Sequence, residues 1–316
     1  MQSIQQLNAR YGVGQKIHFY SDQNGLVTVH IENPHASAKI ALQGAHVMEW
    51  QPHHSEEPVL WLGGEGGFEP VLWLSDQARF VRGRSIRGGV PVCWPWFGAH
   101  ATDESLCPHG FARVAQWKIV DTVIDPDGAT RIIMQLIETQ QLGKQWPHHC
   151  EVTLTVIVGS ALRMQLTTTN TGTAPFVLGE ALHTYFHVSD IEVIKISGLD
   201  NTQYQDKVEG YAVKQQQGDI RFTEETDRVY INTENTCVIE DPGLRRRITV
   251  QKSGSKSTVV WNPWGQKAAE IGDLGSHSGW RHMVCVESAN ATDNVVTVAP
   301  GEVHTLEVEY STEYYL

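Results

Sequence analysis

Several features are missing from this chain of 316 residues, and each absence narrows what it can be. Its five cysteines, Cys93, Cys107, Cys150, Cys237 and Cys285, are odd in number, widely spaced and without a C-x-x-C pair. That argues against a disulfide framework or a structural zinc site and for a reducing compartment. No apolar run approaches the ~18 residues needed to span a membrane. The opening MQSIQQLNARYG lacks the charged-then-apolar order of a signal peptide. The expected location is the cytoplasm, with no membrane partner. Positive charge is scarce: 24 Lys and Arg against 36 Asp and Glu give a formal net charge of −12. A nucleic-acid partner calls for the opposite balance. No G-x-G-x-x-G or P-loop pattern follows a strand, so a βαβ nucleotide-binding unit is not expected. Low-complexity segments, repeats and Pro- or Ser-rich linkers are also missing. Residues 1–316 therefore read as one domain, with 1–20 as an N-terminal extension, and a monomer is expected.

Helical periodicity is scarce too. Residues 2–10 and 223–229 are the helix candidates, and the dominant period elsewhere is two. Val152, Leu154, Val156 and Val158 alternate with Thr, Thr and Ile, and Leu162, Met164, Leu166 and Thr168 alternate with polar residues. Gly159-Ser160 between these runs is a hairpin signal. Further short β-type runs are 26–31, 39–42, 131–137, 192–196, 247–250, 257–261, 283–287 and 306–310. Strands at close spacing without intervening helices predict an all-β fold, an antiparallel sandwich or barrel. Ten Trp is a high count. Core filling accounts for most of them, and a Trp face also suits the apolar face of a pyranose ring.

Four segments carry side chains suited to chemistry. In Ala78–Gly98 the arginines Arg79, Arg82, Arg84 and Arg87 precede Gly88-Gly89, and Arg113 follows in Pro108–Arg113. Arg suits a phosphate because its planar fork donates two parallel hydrogen bonds and stays charged. Arg79, Arg82 and Arg84 read as a solvated basic loop. Arg87 sits instead between an apolar Ile and a Gly-Gly pair able to approach a ligand closely. In Ala181–His187, His183 lies among Leu and aromatics, where partial burial lowers its pKa into the range useful for proton transfer. Pairing His183 with His187 as metal ligands is disfavoured, because the segment reads as strand and the remaining ligands are missing. His148-His149 and His53-His54 read as surface or edge residues. Glu287 closes an apolar run, either as a functional acid or as a strand-end carboxylate facing solvent or an Arg. Asp227, in Thr226–Tyr230, is a short carboxylate suited to sugar hydroxyls and equally common at an element boundary.

Taken together, the segments resemble the aldose 1-epimerase superfamily, in its hexose-6-phosphate mutarotase branch. The resemblance rests on SIRGGVPVCWPWFG (85–98), HGFAR (109–113), ALHTYFHVSDI (181–191), SGLD (197–200), TDRVY (226–230), VVWNPW (259–264) and CVES (285–288). These blocks follow one another in the family's order from about Ala41–His46 onward. The resemblance implies a large antiparallel β-sandwich of the galactose-mutarotase type. It implies a reaction that interconverts the α and β anomers of a hexose 6-phosphate by ring opening and reclosure. Carried over by motif, His183 is the general acid and Glu287 the general base, Asp227 and His109 contact the sugar, and Arg87 and Arg113 lie on the phosphate side. His183 is then expected to be protonated near neutral pH and Glu287 ionised, on opposite sides of the C1–O5 unit. The partner is a small sugar phosphate, and no metal or other cofactor is called for. Pro108, where some relatives have a ligand-binding Gln, and Ser288-Ala289, where others have Pro-Gly, bear on fine specificity. Three other readings stay open: a mutarotase of unphosphorylated aldoses, a non-catalytic sugar-binding or sensing protein, and a glycosidase. The last normally needs two carboxylates.

Overall fold

An alternating strand is stable only where its two faces meet different surroundings, and the central hairpin shows this directly. The computed structural model describes residues 2–53, 69–137, 140–275 and 278–315. In it Cys150–Val158 and Leu162–Asn170 run antiparallel with Val158 opposite Leu162, joined by a turn at Gly159–Ala161. Every second residue of both strands is buried, Thr168 included. The inward set packs into a core; the outward set is half-exposed.

This hairpin is the middle of an eight-stranded antiparallel sheet. On one side come Thr130–Leu136 and Trp117–Ile124; on the other come Val303–Tyr314, Arg246–Ser253, Cys237–Asp241 and Lys195–Ser197. A second eight-stranded sheet holds Ala212–Gln215, Gln203–Asp206, Thr226–Tyr230, Ser257–Asn262, Met283–Asn290, Glu180–Leu182 and Val92–Cys93, with Tyr185–His187 also paired to Met283–Asn290. One face of each sheet contributes to a shared core, in which Leu154, Leu166 and Val308 meet Leu182, Val284 and Val286. The ring of Phe186 stands edge-on to Tyr310, 5.2 Å between centroids, and the Tyr310 and Thr184 hydroxyls hydrogen-bond at 2.5 Å across the sandwich. A four-stranded meander of Ile17–Ser21, Val27–Glu32, Ala36–Ala41 and His46–Pro52 completes the main architecture. The fold is the expected antiparallel β-sandwich.

Some local expectations are met and others corrected. A helix spans Ile4–Tyr11, with Ser3 and Gln6 forming a reciprocal capping box. Its Leu7 and Tyr11 are buried, and Asn8 exchanges two hydrogen bonds with the Phe19 backbone. The segment read as an N-terminal extension thus packs onto the meander. The second helix candidate, 223–229, is instead the strand Thr226–Tyr230, because Val229 and its neighbours pair on both sides with Gln203–Asp206 and Ser257–Asn262. Tertiary pairing overrides the local preference there. Two helices lie elsewhere, Gln140–Gln145 and Trp264–Ile271; the latter is opened by Asn262, whose side-chain oxygen accepts from the Trp264 amide. Arg79, Arg82 and Arg84 are exposed, as a solvated basic loop requires. His53 is exposed and pairs with Glu32, and His54 lies outside the described residues. Among the described residues, no helix is long and apolar enough to cross a membrane.

His46 ties the meander to the Gly88-Gly89 turn that leads into the second sheet. Its Nε2 lies 2.7 Å from the Gly88 carbonyl, and burial, the dominant cause, lowers its pKa to about 4. Unfolded, the imidazole titrates at its ordinary 6.5, so as pH falls the unfolded chain takes up the proton first. The stability tied to the neutral ring is present above 6.5 and is lost as pH falls towards 4. Urea unfolding at pH 6.5 and 4.5 should therefore show the wild type losing ~2 kcal/mol more than His46→Gln. Equal losses in the two proteins would refute the assignment.

Candidate active site

The sequence leaves His183 and Glu287 104 positions apart, and the strand register closes that gap. Leu182 pairs with Ser288 and Tyr185 with Cys285. Counting inward from either end sets His183 opposite Glu287. Side chains two residues apart share a strand face, so Cys285, Glu287 and Ala289 look one way while Val284 and Val286 enter the main core. Ala181, Val229, Val259 and Cys93 lie on the same side as Ala289 in one small apolar cluster. His183 Nε2 is 3.4 Å from Glu287 Oε1. Glu287 is not at a strand end, because its strand continues to Asn290; at 1% exposure it is sealed from solvent, and His183 keeps 9%.

That burial works against the expected protonation states. Desolvation, followed by the electrostatic influence of His109, Arg113 and Arg87, holds the His183 pKa well below 6.5. Desolvation and the nearby Asp227 charge hold Glu287 well above 4.5, against the pull of Lys207 and Arg113. An isolated buried charge is costly, so burial favours the neutral imidazole and the protonated carboxyl. The two groups contact each other on one face of the sheet. Among the described residues, His183 Nδ1 and Glu287 Oε2 are buried without a hydrogen-bond partner.

Aromatic rings frame His183. Tyr185 stacks on it at 4.9 Å and 10° between planes, and Trp261 meets it edge-on at 5.9 Å. His109 lies 5.7 Å away and packs on Phe97. Its pKa is lowered to about 3, by burial first and then by Arg113, Lys207 and Arg87. His109 sits at φ 66° beside Gly110 at φ 70°. A Cβ on Gly110 would fall 2.0 Å from the Trp94 carbonyl oxygen, so only glycine lets the HGFAR segment run against that backbone.

The basic residues divide into two kinds. Arg87 donates from Nε to Asp273 at 2.8 Å and from NH1 to the Tyr185 hydroxyl at 3.0 Å. Tyr185 and Asp273 together keep its pKa above the ordinary arginine value despite burial. Contrary to the expectation from sequence, the Gly88-Gly89 pair beside it approaches protein backbone and leaves no room there for a ligand. Added Cβ atoms would lie 2.4 Å from the Trp73 oxygen and 2.3 Å from the Val47 oxygen, so protein backbone fills that space. Asp227 is held by Lys207 at 2.7 Å; burial raises its pKa and Lys207 opposes the rise. Arg113 differs, for its NH2 donates to the Pro108 carbonyl. Among the described residues no carboxylate pairs with it. His187, the rejected metal partner of His183, pairs with Glu69 and stacks on His282 away from the site.

All six residues singled out from the sequence therefore gather around one sheet face or within electrostatic reach of it. Lys207, Tyr185, Asp273 and Trp261 were missed. Lys207 follows a strand in a polar stretch, and Asp273 sits in a Gly-flanked loop, so neither carries a local signal. Tyr185 and Trp261 lie inside quoted motifs, where an aromatic reads equally well as core.

The profile of a protein family described as "Aldose 1-epimerase" matches residues 27–311. An Escherichia coli K12 protein named "Putative glucose-6-phosphate 1-epimerase" is 36% identical over 264 residues, covering 83% of each chain. A protein of the same name from Cenchrus ciliaris is 35% identical over 274 residues, covering 84% of this chain and 78% of its own. The crystal structure of a "putative mutarotase" from Salmonella typhimurium superposes with a TM-score of 0.85 at 31% identity, covering 96% of both chains.

The neutral state of His183 is directly observable. Followed by NMR of the imidazole, its resonances should not titrate as pH falls through 6.5, the transition lying well below. A midpoint at or above 6.5 would mean that the ring carries its proton at neutrality and that the burial argument fails.

Proposed function

The chain belongs to the aldose 1-epimerase family, and from that premise we propose that it interconverts the α and β anomers of a hexose 6-phosphate, as a glucose-6-phosphate 1-epimerase. The observation that carries the proposal is the His183–Glu287 contact at 3.4 Å, dry and framed by aromatic rings. Anomerisation requires a proton removed from the C1 hydroxyl and one delivered to the ring oxygen. Both oxygens are bonded to the same carbon, so two adjacent side chains on one face can reach them together. The open aldehyde then rotates about C1–C2 and recloses, with the two groups exchanging roles.

The pair needs one mobile proton between its members, and the resting state holds it on Glu287. Transfer to His183 across the short contact creates the acid and the base in one step. Lys207 and Arg113 favour the ionised Glu287 half of that form, while Arg113 disfavours the protonated His183 half. Acid–base catalysis of this kind contributes ~10²–10⁴ in rate, about 3–5 kcal/mol. On this reading the chain acts as one domain, Asp227 and His109 receive sugar hydroxyls, and Trp261 offers a ring face to the pyranose.

Arg113 is the principal phosphate ligand in this proposal, since its charge is not spent on a carboxylate. Arg87 would reach a phosphate only by giving up Asp273. The alternative substrate is a free aldose, favoured by the pairing of Arg87 and Lys207 with acids, which leaves one uncommitted cation.

Anomer exchange measured by NMR on glucose 6-phosphate and galactose separates these readings. Exchange should be faster for the phosphorylated sugar. His183→Ala and Glu287→Gln should each lower kcat by ~10²–10⁴ while binding persists. Near-normal turnover in either variant removes its catalytic role, and binding without any accelerated exchange in the wild type makes the protein a sensor. Arg113→Ala should raise KM for glucose 6-phosphate by roughly ten- to a hundredfold, the worth of one charge-assisted hydrogen bond, and more than Arg87→Ala does. The reverse order would return the phosphate to Arg87.

A further inference from the structure

His183, Cys285 and Glu287 each turn one metal-ligating atom towards a common point. The imidazole nitrogen, thiol sulfur and carboxylate oxygen lie within 4.8 Å of one another, and all three residues are buried. The register explains the grouping: Cys285 and Glu287 are two apart on one strand, and His183 faces Glu287 across the ladder. We propose that this trio is a binding site for a soft divalent cation, zinc foremost, which inhibits the enzyme by taking both proton-transfer groups as ligands.

The donor set argues for zinc and against magnesium or calcium. Zinc accepts mixed N, S and O ligands in a tetrahedron, three from the protein and one position left for water or a substrate hydroxyl. A thiolate selects against the hard cations, which prefer oxygen alone. A second observation points the same way. Among the described residues, His183 Nδ1 and Glu287 Oε2 are buried without a hydrogen-bond partner, so polar atoms of two of the three residues are left over for a ligand. His183 retains 11% side-chain exposure and is the member an ion arriving from solvent meets first.

The surrounding cations do not forbid the ion, because the exchange leaves net charge unchanged. Burial favours the protonated thiol, the protonated carboxyl and the neutral imidazole. Zinc enters with two positive charges, forms bonds to sulfur, oxygen and nitrogen, and releases the Cys285 and Glu287 protons to water. Arg87, Arg113 and Lys207 therefore face the same total charge before and after. The competing reading is that Cys285 only fills space between Tyr185 and Met283 in its apolar cluster.

Metal binding stands on this geometry alone, whereas the inhibition rests on the roles proposed above for His183 and Glu287. The test uses the full-length protein in a Cys107→Ser background, because Cys107 is exposed and would take up metal on its own account. Cobalt(II) is titrated first and followed by its thiolate-to-cobalt charge-transfer absorption, then displaced with zinc. One equivalent of cobalt should produce the band, and zinc should abolish it. Cys285→Ser and Cys285→Ala should both lose it, with metal affinity falling by more than the ~10–100-fold that loss of an outer partner costs. Zinc should also stop anomer exchange in the wild type, reversibly with a chelator, and spare the Cys285 variants. Absence of the band in the folded parent protein, or a band that survives both substitutions, overturns the proposal. A band with exchange unaffected would leave the metal site standing and overturn the catalytic assignment of the pair and, with it, the inhibition.

Discussion

A carboxyl and an imidazole face each other across two hydrogen-bonded strands, both cut off from water, and the rest of the molecule is arranged around the cost of keeping them there. Neither group can be buried as a lone charge. Each is tolerable only because the other is within reach of its proton. The contact depends on a register that any one-residue slip would destroy, since slippage turns every side chain to the opposite face. The fold resists such a slip from behind. Leu182, Val284 and Val286 are locked into the main core, and the Thr184–Tyr310 hydrogen bond pins the residue next to His183 to the opposing sheet. Arg246, itself fully buried, donates to the carbonyls of Glu69, Pro70 and His187 and so holds the far end of the same segment.

The electrostatics follow from the same constraint. An acidic chain assembles three cations beside a buried acid, yet two of them arrive already matched, Arg87 with Asp273 and Lys207 with Asp227. The matched pairs shape the site more than they charge it. Arg87 reaches the Tyr185 hydroxyl, and Tyr185 is the ring stacked on His183, so the ion pair fixes the wall against which the imidazole rests. Arg113 is left to act at longer range. Its charge contributes to the lowered pKa of His183 and His109 and works against the raised pKa of Glu287. This guanidinium thus favours proton loss from both members of the buried pair, helping the Glu287 carboxylate and opposing a charged His183.

The fold class was legible because period-two alternation is a direct consequence of strand geometry, and the hairpin at Gly159 is where the alternation restarts. The site was legible in its members but not in its state. His183 among Leu and aromatics announces burial, yet the sequence gives no measure of how much. The expected useful shift in pKa became a larger one because burial is nearly complete and His109, Arg113 and Arg87 lie near. Glu287 itself looked like a strand end because polar and small residues follow it. Ser288, Ala289 and Asn290 are in fact buried and paired, their polarity met by neighbouring strands. Residues 223–229 read as helix from local preference and fold as strand because both neighbours were already strands. Lys207 and Asp273 could not have been found, since an ion pair formed across the tertiary structure leaves no mark at either end of the sequence.

The glycines show the same limit from another side. Gly88-Gly89 next to Arg87 suggested room for a ligand, and the same two residues serve instead to let three backbone segments pass at distances that no Cβ permits. Glycine in sequence signals close approach without saying what approaches. Only when the neighbour is known does the residue divide into ligand-facing and scaffold-facing cases. Here the scaffold case has a functional consequence. By admitting the Trp73–Ser75 and Val47 backbones, the turn carries Arg87 directly to Asp273 and Tyr185, and the wall behind His183 is set by that tight turn.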